Sequence, residues 1–320
     1  MAHDPERPTL EDLLAARRRI QGHVHRTPVL TSRYFDRRTG ARLWFKCENF
    51  QKVGAFKARG ACNAVLSLGE DQAGRGVLTH SSGNHAQALA YAAAIRGIQA
   101  YVVMPRTAPA VKSEAVAGYG AEIRFCEPTM EGRAQTARAW LEETGACFVH
   151  PYDDWTIIAG QSTAAQELLE DVPDLDLVLA PVGGGGLLAG TALACALGPV
   201  RTRVMGVEPA RADDAARSLE VGTIQPSIDP DTVADGLLTS LGVRNFEVIQ
   251  EHVTDIVTVD EASILEAMHL VWQRMKILIE PSSAVPLAAL LSGAIDEPGA
   301  KIGVILSGGN VDPRADHLAP

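Results

Sequence analysis

Aromatic side chains make up only 5% of the 320 residues, too few to build base-stacking platforms. Basic residues are not in excess either. Lys and Arg number 29 against 39 Asp and Glu, for a net charge of −10, which excludes the basic face a nucleic-acid binder needs. No stretch approaches the ~18 consecutive apolar residues of a membrane span. The acidic, proline-bearing start is unlike a secretory leader. Cysteines are few and odd in number: Cys47, Cys62, Cys126, Cys147 and Cys195, with no Cys-x-x-Cys pair. That pattern excludes a disulfide framework and points to reduced thiols, packed as small apolar residues in a cytoplasmic protein. Also missing are internal repeats, a nucleophile elbow and His-Glu-x-x-His. His23, His25, His150, His252 and His269 show no ligand spacing and are expected at the surface or as satisfied core residues. Arg17-Arg18-Arg19, on a helical pattern over residues 10–20, reads as a solvated helix face.

What is present is an ordinary globular composition, 46% apolar and 21% charged, long enough for about two domains. From Gly76 onward the pattern alternates regularly. Strand-like runs at 77–79, 100–104, 121–126 and 147–149 alternate with helical ones at 86–96, 110–118 and 131–143. A second series follows: helix 157–170, strand 175–180, helix 187–197, strands 203–207 and 255–259, helices 261–274 and 283–291, and strand 301–306. Before it, residues 26–30 are extended and 43–47 form a short strand. Residues 211–235 read as loop and short helix. Strands alternating with helices at this spacing imply parallel βαβ units, which bind ligands at the carboxyl ends of their strands.

The stretch Glu48-Asn-Phe-Gln-Lys-Val-Gly-Ala-Phe-Lys-Ala-Arg-Gly-Ala61 opens a helix running to about Leu68. Its Lys57 lies among Ala55, Phe56, Ala58 and Gly60, with no adjacent acid. Desolvation there lowers the amine's pKa and favours the neutral form that condenses with carbonyls. A lysine of a helical surface is the ordinary alternative, and the downstream loops decide between them.

Ala180-Pro-Val-Gly-Gly-Gly-Gly-Leu-Leu-Ala-Gly190 puts four glycines between a strand and a helix start. Their N–H groups and the helix dipole make a phosphate cradle. It is neither Gly-x-Gly-x-x-Gly nor a P-loop, so the phosphate belongs to something other than a dinucleotide or nucleoside triphosphate. His80-Ser-Ser-Gly-Asn-His-Ala86 offers Ser81, Ser82, Asn84 and His85 at another helix start, suited to a small carboxylate; a serine-capped turn is an equal reading. Ser307, in Leu306-Ser-Gly-Gly-Asn310, can offer a neutral hydrogen bond to a ring nitrogen. The acidic cluster Glu208-Pro-Ala-Arg-Ala-Asp-Asp214 supplies oxygen ligands suited to Mg²⁺ or Ca²⁺, or is merely solvated. A lysine amine, a phosphate cradle and a carboxylate loop, all at strand ends, point to pyridoxal phosphate acting on an amino acid.

These residues resemble the fold-type II pyridoxal-phosphate enzymes, specifically the serine racemase and serine/threonine dehydratase group, from Arg26-Thr-Pro to Gly308-Gly-Asn-Val-Asp312. The resemblance implies an α/β fold of the tryptophan synthase β kind, with two open, mainly parallel twisted sheets and flanking helices. A large cofactor-binding domain would span 1–75 and 153–320, and a small mobile domain 76–152. By the same resemblance Lys57 would carry the internal aldimine, Phe56 would flank the ring and Gly236 would line its other side. Asn84 would bond the ring's 3′-oxygen, Gly183, Gly184, Gly185 and Gly186 would hold the phosphate, and Ser307 would face the pyridine nitrogen.

Ser-Ser-Gly-Asn-His, where threonine dehydratases usually carry Ser-Ala-Gly-Asn-His, leans toward serine racemase and makes Ser82 the second acid/base, opposite Lys57. Arg133 matches an arginine near the substrate pocket. Glu208, Asp214 and the carbonyl of Ala212 match the family's Mg²⁺/Ca²⁺ site. Ala86, Tyr152-Asp-Asp and Glu280-Pro-Ser-Ser-Ala depart from the racemase pattern, and Lys52, Arg274, Lys276 and Asn310 match the ATP site of eukaryotic racemases only in part. The implied activity is a serine racemase and L-serine or L-threonine dehydratase, in a cytoplasmic homodimer, with the substrate carboxylate on Ser81, Ser82, Asn84 and His85. The rivals are a threo-3-hydroxyaspartate ammonia-lyase, whose second carboxylate would pair with Arg133, a β-replacement enzyme, and a non-catalytic amino-acid-binding protein.

Overall fold

The computed structural model describes residues 6–108, 110–315 and 318. The chain opens with α1 (Leu10–Ile20), β1 (Val29–Thr31), α2 (Arg33–Thr39) and β2 (Arg42–Cys47). Two single 3₁₀ turns, Glu48–Phe50 and Lys52–Gly54, lead into α3 (Lys57–Ser67) and the short α4 (Glu70–Ala73). Strand–helix units follow: β3 (Val77–His80), α5 (Asn84–Arg96), β4 (Ala100–Pro105), α6 (Ala110–Ala117), β5 (Glu122–Cys126), α7 (Met130–Thr144) and β6 (Cys147–Phe148). The chain continues through α8 (Trp155–Asp171), β7 (Leu177–Pro181), α9 (Gly186–Leu197), β8 (Arg203–Pro209) and α10 (Asp214–Val221). A 3₁₀ turn at Asp235–Leu237 precedes α11 (Val243–His252), β9 (Asp255–Val259), α12 (Glu261–Met275), α13 (Pro281–Ser292) and β10 (Lys301–Leu306).

Two sheets result, one of six strands in the order β1-β2-β10-β7-β8-β9 and one of four in the order β5-β4-β3-β6. Every pairing is parallel except β1 with β2. This is the mainly parallel α/β fold expected. The central strands are buried on both faces, so they read as apolar runs without alternation. In β7, Leu177 and Leu179 face a core shared with α12 and α13, while Val178 and Ala180 face one shared with α8 and α9.

Helix α3 seats the lysine rigidly. Gly60 of α3 and Gly160 of α8 meet backbone to backbone, since a Cβ on Gly160 would stand 2.6 Å from the Gly60 Cα. Beside this contact Arg59, fully buried, grips Glu48 (2.7 and 2.8 Å) and Glu167 (2.8 and 2.9 Å) in two forked pairs. Lys46 donates to Glu167 (2.6 Å) and to the carbonyl of Thr27 (2.8 Å). Two cations balance two anions, which makes this burial tolerable.

Three findings differ from the sequence reading. The basic run is solvated only in part: Arg18 and Arg19 are exposed, bonding Glu11 and Asn63 of α3, while Arg17 is half-buried and forks onto Glu170 of α8. Helices α2 and α11 occupy stretches to which the sequence reading assigned no element. All five cysteines are free, but Cys147 is only half-buried. Burial pushes the thiols of Cys47, Cys62 and Cys195 up to about 12, so they are inert packing groups.

Candidate active site

The carboxyl ends of β10, β7 and β3 converge where ligands bind in open parallel sheets. The β10 end is tied directly to the lysine segment. The Phe56 amide donates to the Ser307 carbonyl at 3.0 Å, and Ala55 bridges Gly308. Ser307 is buried there.

The Lys57 amine lies 5.2 Å from the Phe56 ring centroid and donates to the carbonyl of Pro151 at 2.8 Å. No carboxylate lies within ion-pair distance of it among the described residues. Burial brings its pKa from 10.5 down to about 8, against a weaker upward pull from Glu280. Lys46 is buried as well, yet its contact with Glu167 keeps it a structural cation. The two lysines differ in partner, and only Lys57 has an amine available for chemistry.

The glycine run is a formed cradle. Gly185 has φ +91°, which favours glycine. A Cβ on Gly184 would stand 2.4 Å from the Tyr152 ring, and one on Gly183 would stand 2.9 Å from the Leu237 Cα. Asn245 of α11 donates to the Gly184 carbonyl at 2.6 Å and turns that peptide. The buried amides of Gly183, Gly184, Gly185 and Gly186 meet no acceptor among the described residues. Orphan donors at a helix start are what an anionic group satisfies. Gly236 lies across from the cradle, its amide donating to the Ser282 hydroxyl at 3.1 Å.

From the other sheet, β3 delivers Ser81, Ser82, Asn84 and His85. Ser81 donates its amide to Val103, and its hydroxyl takes the Gly83 amide. Ser82 is half-buried in the same turn. His85 is 2% exposed, and burial, followed by the positive charge of Lys57, holds it neutral, well below the usual histidine range. His150 accepts the Asp153 amide at Nδ1 (2.8 Å), and burial brings it down to about 4. Arg133 of α7 is near enough to His80 and Cys126 to act on their charge, and its buried Nε meets no acceptor among the described residues.

The acidic cluster lies at the end of β8. Glu208 is fully buried and takes the amides of Ala215 and Ala216 (3.1 and 3.0 Å). Burial, then the neighbouring Asp214, pushes it up to about 9, and burial lifts Asp214 to about 6. Asp214 Oδ1 is buried without a partner, and Ala212 is buried beside the pair. Among the described residues no group of three or more His, Cys, Asp or Glu side chains converges as a metal site. Two buried acids and a peptide oxygen nonetheless fit a hard cation.

Four participants were not read from the sequence: the Pro151 carbonyl, Tyr152, Asn245 and Glu280. Only Glu280 had a signal, as an acid within an apolar run. The others act through contacts that no local spacing encodes.

A buried amine with no carboxylate partner and a glycine run with unpaired amides are groups that fit pyridoxal phosphate. The family model described as "Pyridoxal-phosphate dependent enzyme" matches residues 20–308, and the chain belongs to that family. It is 52% identical over 305 residues to a beta-hydroxyaspartate dehydratase of Paracoccus denitrificans, covering 95% of this chain and 97% of that one. The fold is similar to the crystal structure of serine racemase from Dictyostelium discoideum, with TM-score 0.91 and 48% identity, covering 95% and 99% of the two chains. It is also similar to the maize serine racemase structure, with TM-score 0.93 and 43% identity, covering 96% and 95%. Membership in this family makes the chain an enzyme, not a passive amino-acid binder.

Proposed function

We propose that this enzyme is a serine racemase and L-serine (L-threonine) dehydratase, giving D-serine, or a 2-oxo acid plus ammonia. One observation carries the reading: the Lys57 amine, brought down to about 8 by burial, at the junction of Ser307, the glycine cradle and the Ser81–His85 turn. When bound, pyridoxal phosphate supplies an electron sink for breaking bonds at Cα. Lys57 would hold the cofactor's aldehyde carbon, Gly183 to Gly186 its phosphate, Asn84 its ring oxygen and Ser307 its ring nitrogen. Phe56 and Gly236 would flank the ring. Ser307, a neutral partner, would leave that nitrogen unprotonated.

Ser81, Ser82, Asn84 and His85 orient the substrate carboxylate. Freed from the cofactor, the Lys57 amine takes the Cα proton on one face, and the Ser82 hydroxyl gives a proton on the other. Loss of the β-hydroxyl as water, then hydrolysis, yields the 2-oxo acid and ammonia. Neutral His85 and His150 keep competing cations from the Lys57 amine. The residues divide into a large domain (1–75 and 153–320) and a small mobile one (76–152), and substrate-driven closure brings Ser82 over Lys57. Glu208, Asp214 and the Ala212 carbonyl hold Mg²⁺ or Ca²⁺ as a structural ion. A cytoplasmic homodimer completes the proposal.

A second reading has its own support. The unpartnered Nε of Arg133 favours a substrate with a second carboxylate, which makes threo-3-hydroxyaspartate the rival substrate. Chiral product analysis with L-serine, beside steady-state kinetics on serine, threonine and 3-hydroxyaspartate, decides between them. D-serine and pyruvate from L-serine are expected. A strong preference for 3-hydroxyaspartate with negligible turnover of serine overturns the first reading.

A further inference from the structure

One buried acid at the site has no part in the steps above. Glu280 stands just before the start of α13 without a side-chain capping bond, is 5% exposed, and forms no ion pair among the described residues. Its carboxylate takes the Asn84 side-chain amide on both oxygens, at 3.0 and 3.2 Å, and the Asn310 backbone amide at 3.1 Å. The backbone is shaped to admit it. The Glu280 amide donates to the Gly308 carbonyl at 3.0 Å, and a Cβ on Gly308 would stand 2.6 Å from Glu280 Oε1. The first glycine of Ser307-Gly-Gly-Asn310 is therefore bare where the carboxylate sits.

The consequence falls on Asn84. Burial pushes the Glu280 carboxyl up to about 7, and above that pH it is ionised, can only accept, and holds the carboxamide with its nitrogen inward. The Asn84 oxygen is already taken by the Asn310 side-chain amide at 2.8 Å. What Asn84 has left to offer a ligand is the second hydrogen on its nitrogen. Without Glu280 only the Asn310 side-chain amide is left to distinguish the two orientations, and in the flipped one the oxygen would face the ligand.

We propose that Glu280 is a positioning residue that fixes the polarity of Asn84, so that the site presents only an N–H donor to the cofactor's ring oxygen and holds that oxygen as an anion. The inference rests on the reading that Asn84 faces this oxygen. It also joins an element of the four-stranded sheet to one packed on the six-stranded sheet, so the polarity is set across the junction that carries the chemistry.

The test is spectroscopic. Wild-type protein, E280Q, N84A and the E280Q/N84A pair are saturated with pyridoxal phosphate, and the visible band of the lysine-bound cofactor is compared with its near-ultraviolet band. Spectra are taken above pH about 7, where Glu280 is ionised. Glutamine keeps the size of the side chain but both donates and accepts, so the Asn84 orientation then rests on the Asn310 bond alone and the flipped one gains population. The visible-to-near-ultraviolet ratio is expected to fall by about twofold or more. N84A should lower it likewise, and the pair should fall no further than N84A alone. A wild-type ratio in E280Q beside a lowered one in N84A overturns the proposal, as does an additive loss in the pair. Should E280Q fail to fold, Gly308→Ala displaces the carboxylate while retaining the acid. The same fall is expected there, and an unchanged ratio counts against the proposal. A wild-type protein that develops no visible band refutes the underlying cofactor reading instead, so the two failures are distinguishable.

Discussion

The amide of Phe56 donates to the carbonyl of Ser307 at 3.0 Å, joining residues 251 positions apart in the chain. Through this bond the residue before Lys57 is registered against the end of β10, and the lysine segment and Ser307 form one edge. Preorganisation of this kind is what a covalently held cofactor needs, because neither group then has to be ordered on binding.

Capture of the cofactor should follow the charge on Lys57. Burial depresses its folded pKa to about 8, so the reactive neutral amine is plentiful at lower pH than for a solvated lysine. The rate at which cofactor-free protein develops its visible band should rise with pH up to about 8 and level off above it. A rate still climbing through the ordinary lysine range near 10.5 contradicts a buried amine.

Ser82 lies in the turn after β3, and the proposed mechanism gives its hydroxyl the second face only. Ser82→Ala is expected to abolish racemisation and D-serine dehydration, by ~10²-fold or more, while sparing L-serine dehydration. Chiral chromatography of the products checks this. Equal loss of all three activities contradicts a two-face site.

Glu208 and Asp214 have folded pKa values raised above their unfolded ones. The folded state therefore retains protons that the unfolded state releases, and stability falls as pH rises through about 6 and then about 9. A divalent cation displaces those protons, so its stabilisation should grow across the same window. Thermal unfolding with Mg²⁺ or Ca²⁺ and with EDTA at both ends of that window measures it. A Tm indifferent to either ion at every pH removes the metal from the account.

The Arg59 cluster supports the lysine helix from below. Arg59→Met leaves Glu48 and Glu167 buried without their shared cation and should destabilise the protein by ~3–5 kcal/mol. Urea unfolding of the cofactor-free protein measures the loss. A loss under ~1 kcal/mol would mean that the two acids find protons or solvent instead.

Much of this was legible in the chain. Buried parallel strands announce themselves as Val, Leu and Ile runs, and β9 and β10 begin and end where their apolar runs do. The cradle was legible because four adjacent glycines before a helix have few other uses. Helix α11 was not, because its sparse apolar positions, Phe246, Val248 and Ile249, sit in a polar stretch and become a face only against α9. Arg17 looked solvated because its partner Glu170 lies on another helix, 153 positions away. Glu280 shows the same limit at the site itself, since an acid's partner at Asn84 is set by how two sheets meet and leaves no trace in spacing.

Borohydride reduction of the cofactor-loaded protein, followed by peptide mapping, tests the central bond most directly. The account predicts a single pyridoxyl group, on Lys57. A label on Lys46, Lys52 or another lysine, or a protein that takes up no label at all, contradicts it.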